Sequence, residues 1–242
     1  MLKKLSVISF LVLFTFSNTY ADDKKFNEDW FSHNIKVWDN YKSQFNGLPN
    51  KRCLEIGSYE GRSSIYMAEN FCNGKGSYID AVDPWDESLE NLNDKIAELH
   101  KKFIYKGLYE RFKDNLKDYI AEGRVNAHRG KSADILLKLI QEVKEGKREK
   151  YDLIYIDGSH SAKDVLVDAV LAWELLKNDG LMLFDDYKWT MFTDTPWLNP
   201  TVAIDGFLNS YDTMYEVLHK DYQLHIRKLG DIPLDSKKNI DK

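Results

Sequence analysis

The chain has 242 residues, of which 43% are hydrophobic and 13% aromatic, enough for one α/β domain with a substantial core. Its formal net charge at pH 7 is −5, and basic residues alternate with acidic ones, as in the run NDKIAELHKKF. This charge argues against a protein that binds nucleic acid by neutralising phosphates, so we expect no nucleic-acid partner.

The first 21 residues have the layout of a secretory signal peptide. MLKK is a positively charged start, residues 5–16 are apolar, and the small Ala21 precedes Asp22. The apolar run is shorter than an ordinary membrane-spanning segment. We therefore predict cleavage near Ala21, a secreted or periplasmic protein, and no membrane span in the mature chain. The alternative is an uncleaved anchor, which an intact mass that retains residues 1–21 would reveal.

Residues 22–49 form the next predicted unit, a helical segment. Its aromatic and aliphatic residues recur at three-to-four spacing between residues 24 and 45. The only cysteines, Cys53 and Cys72, follow it, and they fall at the start of a predicted strand and after the next predicted helix. Their even number permits one disulfide in an oxidising compartment, and two unpaired thiols are the alternative.

The main domain spans residues 50–230, where short apolar strands alternate with helices. Strands are predicted near residues 53–57, 77–83, 124–130, 151–158 and 181–187, and helices near 63–71, 87–103, 108–123, 132–146 and 162–180. Gly180 is predicted as the C-terminal cap of the last of these helices. This alternation indicates a mainly parallel sheet covered on both faces. One more helix and two β-like runs follow, so close together that they must pair antiparallel. Residues 231–242 are a polar tail.

A glycine loop follows the first predicted strand, in CLEIGSYEGRSS. Gly57 and Gly61 lack the G-x-G-x-x-G spacing of a dinucleotide site, and Glu55 and Glu60 disfavour a phosphate while favouring a cation. Asp83 ends the second strand, where an acid can accept hydrogen bonds from both ribose hydroxyls. A ribose without a phosphate and with a positive charge nearby indicates S-adenosylmethionine (SAM). The alternative is a tight strand–helix turn, which needs glycine by itself.

LEIGSYEGRSS and IDAVDPW resemble the first two motifs of the class I SAM-dependent methyltransferases, and the resemblance covers residues 50–229. It implies a Rossmann-like, doubly wound α/β fold with a seven-stranded, mostly parallel sheet whose last strand is antiparallel. It also implies a set of cofactor-binding residues around the methionine, ribose and adenine, namely Glu55, Gly57, Ser58, Gly61, Asp83, Ser132 and Asp157.

Acidic residues follow the fourth and fifth strands. Asp157 and His160 come after the fourth strand, and Asp185 and Asp186 come after the fifth. Neighbouring strand ends bring these side chains together, and clustered carboxylates favour Mg²⁺. The alternative is that one aspartate caps a helix and another is solvated.

The stretch from IDGSHS to LFDDY resembles the metal-dependent sugar and macrolide O-methyltransferases. The resemblance implies that Asp157, Asp185 and Asp186 bind Mg²⁺. Many of those enzymes have an acidic candidate base two places after the first aspartate, where this chain has Ser159. His160 is then the nearest candidate base, with Asp157 as the second catalytic residue. The other histidines near the domain, among them His128 and His225, are interpreted as ordinary core or surface residues.

The predicted function is methylation of a hydroxylated small molecule or glycan, beneath a roof formed by the aromatic stretch 189–207 and the excursion 85–123. Mg²⁺ would lower the pKa of the reacting hydroxyl, and His160 would take its proton. The alternatives are an exported binding module that kept the fold without turnover and, disfavoured by the glycine loop, a nicotinamide oxidoreductase. The acceptor and the oligomeric state stay open.

Overall fold

The computed structural model describes residues 24–85 and 106–231. The predicted signal peptide (1–21), the predicted helix at 87–103 and all but the first residue of the predicted tail lie outside the described residues. Within the two described ranges, no helix is both long enough and apolar enough to cross a membrane.

A seven-stranded sheet forms the centre of the molecule. Its strands are β1 (Arg52–Ile56), β2 (Tyr78–Asp83), β3 (Val125–Arg129), β4 (Tyr151–Ile156), β5 (Leu176–Phe184), β6 (Tyr215–Lys220) and β7 (Leu224–Lys228). The order across the sheet is β3-β2-β1-β4-β5-β7-β6. The first five strands in this order are parallel, and β7 pairs antiparallel with both β5 and β6. The predicted fold class is therefore confirmed.

Helices cover both faces of the sheet. They are α1 (Ile35–Trp38), α2 (Arg62–Asn70), α3 (Leu108–Ala121), α4 (Ser132–Lys144), α5 (Ala162–Leu175) and α6 (Pro200–Ser210). Successive residues of a strand point to opposite faces, and β4 feeds both cores in this way. Ile154 packs in the core beneath α4, α5 and α6, whereas Tyr155 packs in the core beneath α1, α2 and α3. Both faces of β4 are thus buried, as its continuous apolar sequence indicates.

The prediction of a helix over residues 24–45 is wrong for its first part. Helical structure begins with a short 3-10 turn, Ser32–Asn34, continues through α1, and ends in a second 3-10 helix, Asp39–Gln44. Residues 24–31, here called the strap, are not helical. Their backbone bonds to other elements instead: the amide of Asn27 donates to Glu60 (2.7 Å), and the amide of Lys25 donates to Asn115 (2.9 Å).

The prediction that Gly180 caps a helix is also wrong. Helix α5 ends at Leu175, and β5 begins with the next residue. The Lys228 ammonium caps the helix from β7, because it donates to the carbonyl oxygens of Trp173 (3.0 Å) and Leu176 (3.3 Å). Residues after Leu176 form an irregularity in the pairing of β5 with β4, and within it Asp179 has a left-handed backbone (φ 63°).

The two cysteines are free thiols and both are buried. Cys53 lies in β1, and the Cys72 thiol after α2 donates to the carbonyl oxygen of Lys51 (3.6 Å). Burial raises the pKa of the Cys53 thiol well above its ordinary value, so this thiol is held in its neutral form. Of the two arrangements that the sequence allows, the structure has the unpaired one.

Candidate functional site

The glycine loop joins β1 to α2, and close packing requires both of its glycines. Gly57 has φ +90°, and a Cβ there would lie 2.0 Å from the carbonyl oxygen of Asp157. Gly61 has φ +85°, and a Cβ there would lie 2.1 Å from a methyl group of Leu116. Any side chain would clash at either position. The loop therefore lies directly against the end of β4, and the fold alone explains its glycines.

Glu55, in β1 just before the loop, fixes the loop by hydrogen bonds to the helix that follows it. Its carboxylate is fully buried and accepts hydrogen bonds from the hydroxyls of Ser63 (2.5 Å) and Ser64, both in the first turn of α2. Burial raises its pKa to about 7. Glu55 thus ties β1 to the start of the helix that receives the loop.

Glu60 is placed differently from what its sequence position indicates. Its side chain is buried, and its carboxylate accepts the backbone amide of Asn27 in the strap. Asn115 in α3 donates to the carbonyl oxygen of Glu60 (2.9 Å). The sequence predicts that the Glu60 charge disfavours a phosphate in the loop. In the structure this carboxylate is bonded to the strap, so it opposes a phosphate less than the sequence predicts.

Asp83 lies at the end of β2 with its carboxylate turned toward the glycine loop. One oxygen accepts the amides of Ser58 and Tyr59 (both 3.0 Å), and the other accepts the amide of Trp85 (2.6 Å). A carboxylate offers about four acceptor positions, so about one remains for a ribose hydroxyl. Burial raises the pKa of Asp83 although these amides stabilise its charge. Asp83 is first of all the residue that fixes the loop.

Ser132 is the first residue of α4, at the carboxyl end of β3 where the adenine is predicted to lie. Its side chain lies close enough to the carboxylate of Asp168 in α5 to lower the pKa of that carboxyl, against the larger effect of burial. Asp168 is almost completely buried, and burial raises its pKa to about 6. Asp168 is not among the site residues predicted from the sequence. The one available signal was an acid at a helix position whose neighbours are apolar.

The predicted metal and catalytic residues converge at one edge of the sheet. Strands β4 and β5 are parallel neighbours with Ile156 opposite Phe184, so the residues after each strand meet there. One side-chain ligand atom each of Asp157, His160 and Asp186 lies within 4.8 Å of the others. The Nε2 atom of His160 is 2.8 Å from a carboxylate oxygen of Asp186.

Asp185 is turned more deeply into the protein than Asp186. One of its oxygens accepts the hydroxyl of Tyr155 (2.5 Å), and the other accepts the amide of Asp186 (2.9 Å). The same hydroxyl lies 2.9 Å from Asp157. Asp186 has a left-handed backbone (φ 57°), so the two consecutive aspartates face different ways. The close group of ligand atoms therefore contains His160, while Asp185 joins it through Tyr155.

Asp157, Asp185, Asp186 and His160 form a group, here called the acidic cluster, in which negative charge predominates. Burial, together with the charges of Asp185 and Asp186, raises the pKa of Asp157 well above its ordinary value. Burial and the charge of Asp186 likewise raise the pKa of Asp185. Among the ion pairs of the described residues, none joins these three carboxylates to a lysine or arginine, and His160 is the basic group beside them. Carboxylates and an imidazole so arranged fit a divalent cation.

Aromatic side chains border the cluster. The Trp189 ring stacks on His160 with centroids 4.9 Å apart and planes 18° apart, and Phe192 packs edge-on against Trp189 (5.1 Å). The Tyr222 hydroxyl donates to Asp186 (2.9 Å). The aromatic stretch 189–207 thus begins beside the cluster, and its exposed Trp197 offers further apolar surface.

A groove of about 390 Å³ lies at the other edge of the sheet, lined by Lys75, Tyr78 and Arg124 among others. These residues stand at the amino ends of β2 and β3. Ligands of open parallel sheets bind outside the carboxyl ends of the strands. The acidic edge is therefore the candidate site.

Comparison with known proteins identifies the family of the chain. A family model described as "Methyltransferase domain" matches residues 54–187, more than half of the chain. No curated protein sequence matches the chain significantly.

Solved structures with this fold include three methyltransferases. An O-methyltransferase from Bacillus cereus in complex with SAH has TM-score 0.57 and 15% identity, over 83% of this chain and 83% of that chain. The O-methyltransferase TomG from Streptomyces achromogenes, involved in tomaymycin synthesis and in complex with SAM, has TM-score 0.57 and 14% identity, over 82% and 80%. The MycE methyltransferase of the mycinamycin biosynthetic pathway, with Mg and SAH, has TM-score 0.51 and 15% identity, over 86% and 52%.

The extent of the family match and the strand order lead to one conclusion. The chain belongs to the methyltransferase-domain family and has the class I methyltransferase fold.

Proposed function

We propose that this methyltransferase-domain protein is a SAM-dependent O-methyltransferase that acts on a hydroxylated small molecule or sugar with the help of Mg²⁺. The observation that carries the proposal is the acidic cluster after β4 and β5, directly beside the glycine loop. Gly57 touches the backbone of Asp157, so a ligand on the loop and a ligand on the cluster would be neighbours. The complexes of TomG with SAM and of MycE with Mg and SAH support both halves of the proposal.

The chain's residues divide the binding of SAM among three strand ends. The loop from Gly57 to Gly61 gives close backbone approach, with Ser58 inside it and Glu55 fixing its base. Asp83 offers its remaining acceptor position to a ribose hydroxyl, and Ser132 borders the adenine by its position after β3. SAM supplies a methyl group on a positively charged sulfonium, which the acidic surroundings of the loop favour electrostatically.

The acidic cluster would hold the cation and the acceptor hydroxyl. Asp157 and Asp186 are the carboxylates whose ligand atoms lie close together, with Asp185 behind them. A bound divalent cation would lower the pKa of a hydroxyl at this site. His160 lies beside the cluster, and as the base its ring would take the hydroxyl proton. Asp186, 2.8 Å away, would stabilise the resulting imidazolium. Trp189 stacks on the ring and keeps it in this orientation.

The experiment combines binding and turnover. SAM binding is measured by calorimetry, and methyl transfer to a panel of polyols, sugars and phenols is measured with isotopically labelled SAM. We expect turnover to stop when a chelator removes divalent cations and to return with Mg²⁺, while SAM affinity changes less than about threefold. Asp157→Asn should lower turnover at least about 10³-fold, because it removes a cation ligand.

The matched control is Asp212→Asn, an exposed aspartate just before the amino end of β6 and so at the opposite edge of the sheet, which should leave turnover unchanged. Full turnover in carefully demetallated protein would remove the cation from the proposal. Absence of SAM binding would remove the methyltransferase activity itself.

A further inference from the structure

A chain of buried hydrogen bonds runs from the N-terminal helical segment to the acidic cluster, and its first link fixes a direction. The indole N–H of Trp38 lies 2.8 Å from the side-chain oxygen of Gln223, the residue before β7. Both side chains are buried. Indole nitrogen is only a donor, so the oxygen of the Gln223 amide, and not its nitrogen, must face Trp38.

His225 is compatible with this orientation. Its Nε2 atom lies 2.9 Å from the Gln223 oxygen, and its Nδ1 atom lies 3.0 Å from the hydroxyl of Tyr41. Burial lowers the pKa of His225 to about 3, so the ring is neutral at physiological pH. The one ring proton is then on Nε2, which donates to Gln223, while Nδ1 accepts the Tyr41 proton.

The orientation of Gln223 determines what Tyr155 can do. The Gln223 amide nitrogen is left facing the cluster, where it approaches the Tyr155 hydroxyl oxygen (3.5 Å). The Tyr155 hydroxyl oxygen is therefore on the accepting side of that contact. Its single proton must point away from Gln223, toward the carboxylates of Asp185 and Asp157.

Packing holds the Tyr155 ring in place. Its edge-to-face contact with Trp38 has centroids 4.8 Å apart and planes 87° apart, and the ring is fully buried. The hydroxyl reaches out of this aromatic core between the ends of β4 and β5. One side chain thus contacts carboxylates from both strands, Asp157 from β4 and Asp185 from β5.

We propose that Tyr155 is a positioning residue for the acidic cluster, and that Gln223 and Trp38 set its direction. Its hydroxyl clamps Asp157 to Asp185 and keeps their remaining oxygens pointed toward the ligand edge. The role assigned to the cluster rests on the proposed function, but the clamp is a property of this chain alone. The residues of the acidic cluster follow strands of the sheet. Through Trp38, the N-terminal helical segment also becomes part of the site.

The test compares two tyrosines of the same strand. Tyr155→Phe removes the clamp, and the matched control Tyr151→Phe removes a buried hydroxyl at the other end of β4, where it bonds to Asp80. Calorimetric titration with Mn²⁺ alone, in the absence of acceptor, is the first measurement. We expect Tyr155→Phe to bind Mn²⁺ about 10–100-fold more weakly, as for other residues that orient metal ligands, and Tyr151→Phe to bind it normally. SAM affinity should stay within about twofold in both.

A second variant tests the direction of the contact between Gln223 and Tyr155, and not only whether the contact is present. Gln223→Glu replaces the amide nitrogen that faces Tyr155 with an acceptor oxygen, which competes with the aspartates for the Tyr155 proton. Gln223→Leu, which removes both hydrogen-bonding groups of this side chain, is the comparison. We expect Gln223→Glu to weaken Mn²⁺ binding at least as much as Gln223→Leu does, although glutamate adds a negative charge near the cation. Stronger Mn²⁺ binding by Gln223→Glu would overturn the assigned direction.

A crystal structure of Tyr155→Phe gives a readout that needs neither metal nor turnover. We expect the carboxylates of Asp157 and Asp185 to move apart or rotate. If they keep their places and Mn²⁺ affinity is unchanged, the positioning role is wrong. If the wild-type protein takes up no divalent cation, the metal half of the proposed function fails, and the positions of the two carboxylates in the variant alone decide on the clamp.

Discussion

Strand β4 carries a tyrosine at each end, and the two ends show how differently one sheet can treat a buried acid. Tyr151 donates to Asp80 (2.6 Å), which is also bonded to the guanidinium of Arg148 and to His128 (2.7 Å). Burial pushes the pKa of Asp80 up, but the bonds from His128 and Tyr151 and the charge of Arg148 outweigh it, so the pKa falls below its ordinary value.

At the other end, Tyr155 donates to acids that repel one another, and burial and repulsion raise their pKa values. The tyrosine and the strand are alike, and the difference lies in the partners: Arg148 pairs with Asp80, whereas no ion pair among the described residues joins a lysine or arginine to the acids after β4 and β5. A buried charge that is paired within the chain completes a structure. Carboxylates that repel one another, with a histidine as their basic neighbour, are instead a candidate cation site.

The largest expected effect is at the Tyr151 end of β4, where Arg148 is paired with Asp80. Arg148→Met should lower the free energy of unfolding by about 3–5 kcal/mol, because it leaves Asp80 charged and buried without its cation. Urea denaturation at pH 7.5 measures it. The control is Lys147→Met, whose exposed pair with Glu145 should contribute little to stability. A loss at Arg148 as small as that at Lys147 would mean that Asp80 is held by its neutral donors alone.

The second prediction is a reversal of sign between the two ends. Asp80→Asn should destabilise the protein by about 1–3 kcal/mol. The amide has one acceptor oxygen where the carboxylate has two, so it cannot satisfy all the donors that surround Asp80. Asp157→Asn should instead leave the metal-free protein equally stable or stabilise it by about 1–2 kcal/mol, because it removes a repelling buried charge. The measurement is urea denaturation in the presence of a chelator. Destabilisation by both substitutions to the same extent would abolish the contrast.

Much of this arrangement is visible in the sequence. Continuous apolar strands between helical patterns indicate the sheet, and DG and DD directly after β4 and β5 place Asp157, Asp185 and Asp186 at one edge. The contacts that set their charge are not visible, because they join residues far apart in the chain. Trp38 and Gln223 are 185 positions apart, and no local period relates them. Asp83 and Glu60 are recognised as loop acids, but which amides occupy them depends on packing between elements.

Asp168 is a third kind of buried acid, with the Ser132 side chain near its carboxylate, and it tests the comparison through pH. Burial raises its pKa from 3.8 to about 6, so the folded protein binds this proton more tightly than the unfolded chain does. Its contribution to stability is therefore fully present below about pH 4 and is lost as the pH rises through 6. Asp168→Asn, which stays neutral, should be more stable than wild type by about 1–3 kcal/mol at pH 7.5, with the difference shrinking toward zero near pH 4. A difference independent of pH would show that Asp168 keeps its ordinary pKa.

The smallest effect is expected at Ser132, and it separates two assignments of one hydroxyl. The sequence resemblance places Ser132 beside the adenine, whereas in the structure its side chain lies close enough to Asp168 to lower the pKa of that carboxyl. If the bond to Asp168 dominates, Ser132→Ala should cost about 1–2 kcal/mol of stability at pH 7.5, when Asp168 is charged. The cost should be smaller in the Asp168→Asn background, where the hydrogen bond has no charged partner, and a double-mutant cycle measures that difference. SAM affinity, measured by calorimetry, should then change by less than about twofold. A tenfold weaker affinity together with unchanged stability would assign the hydroxyl to the adenine, and Asp168 would be an acid buried without a donor of its own.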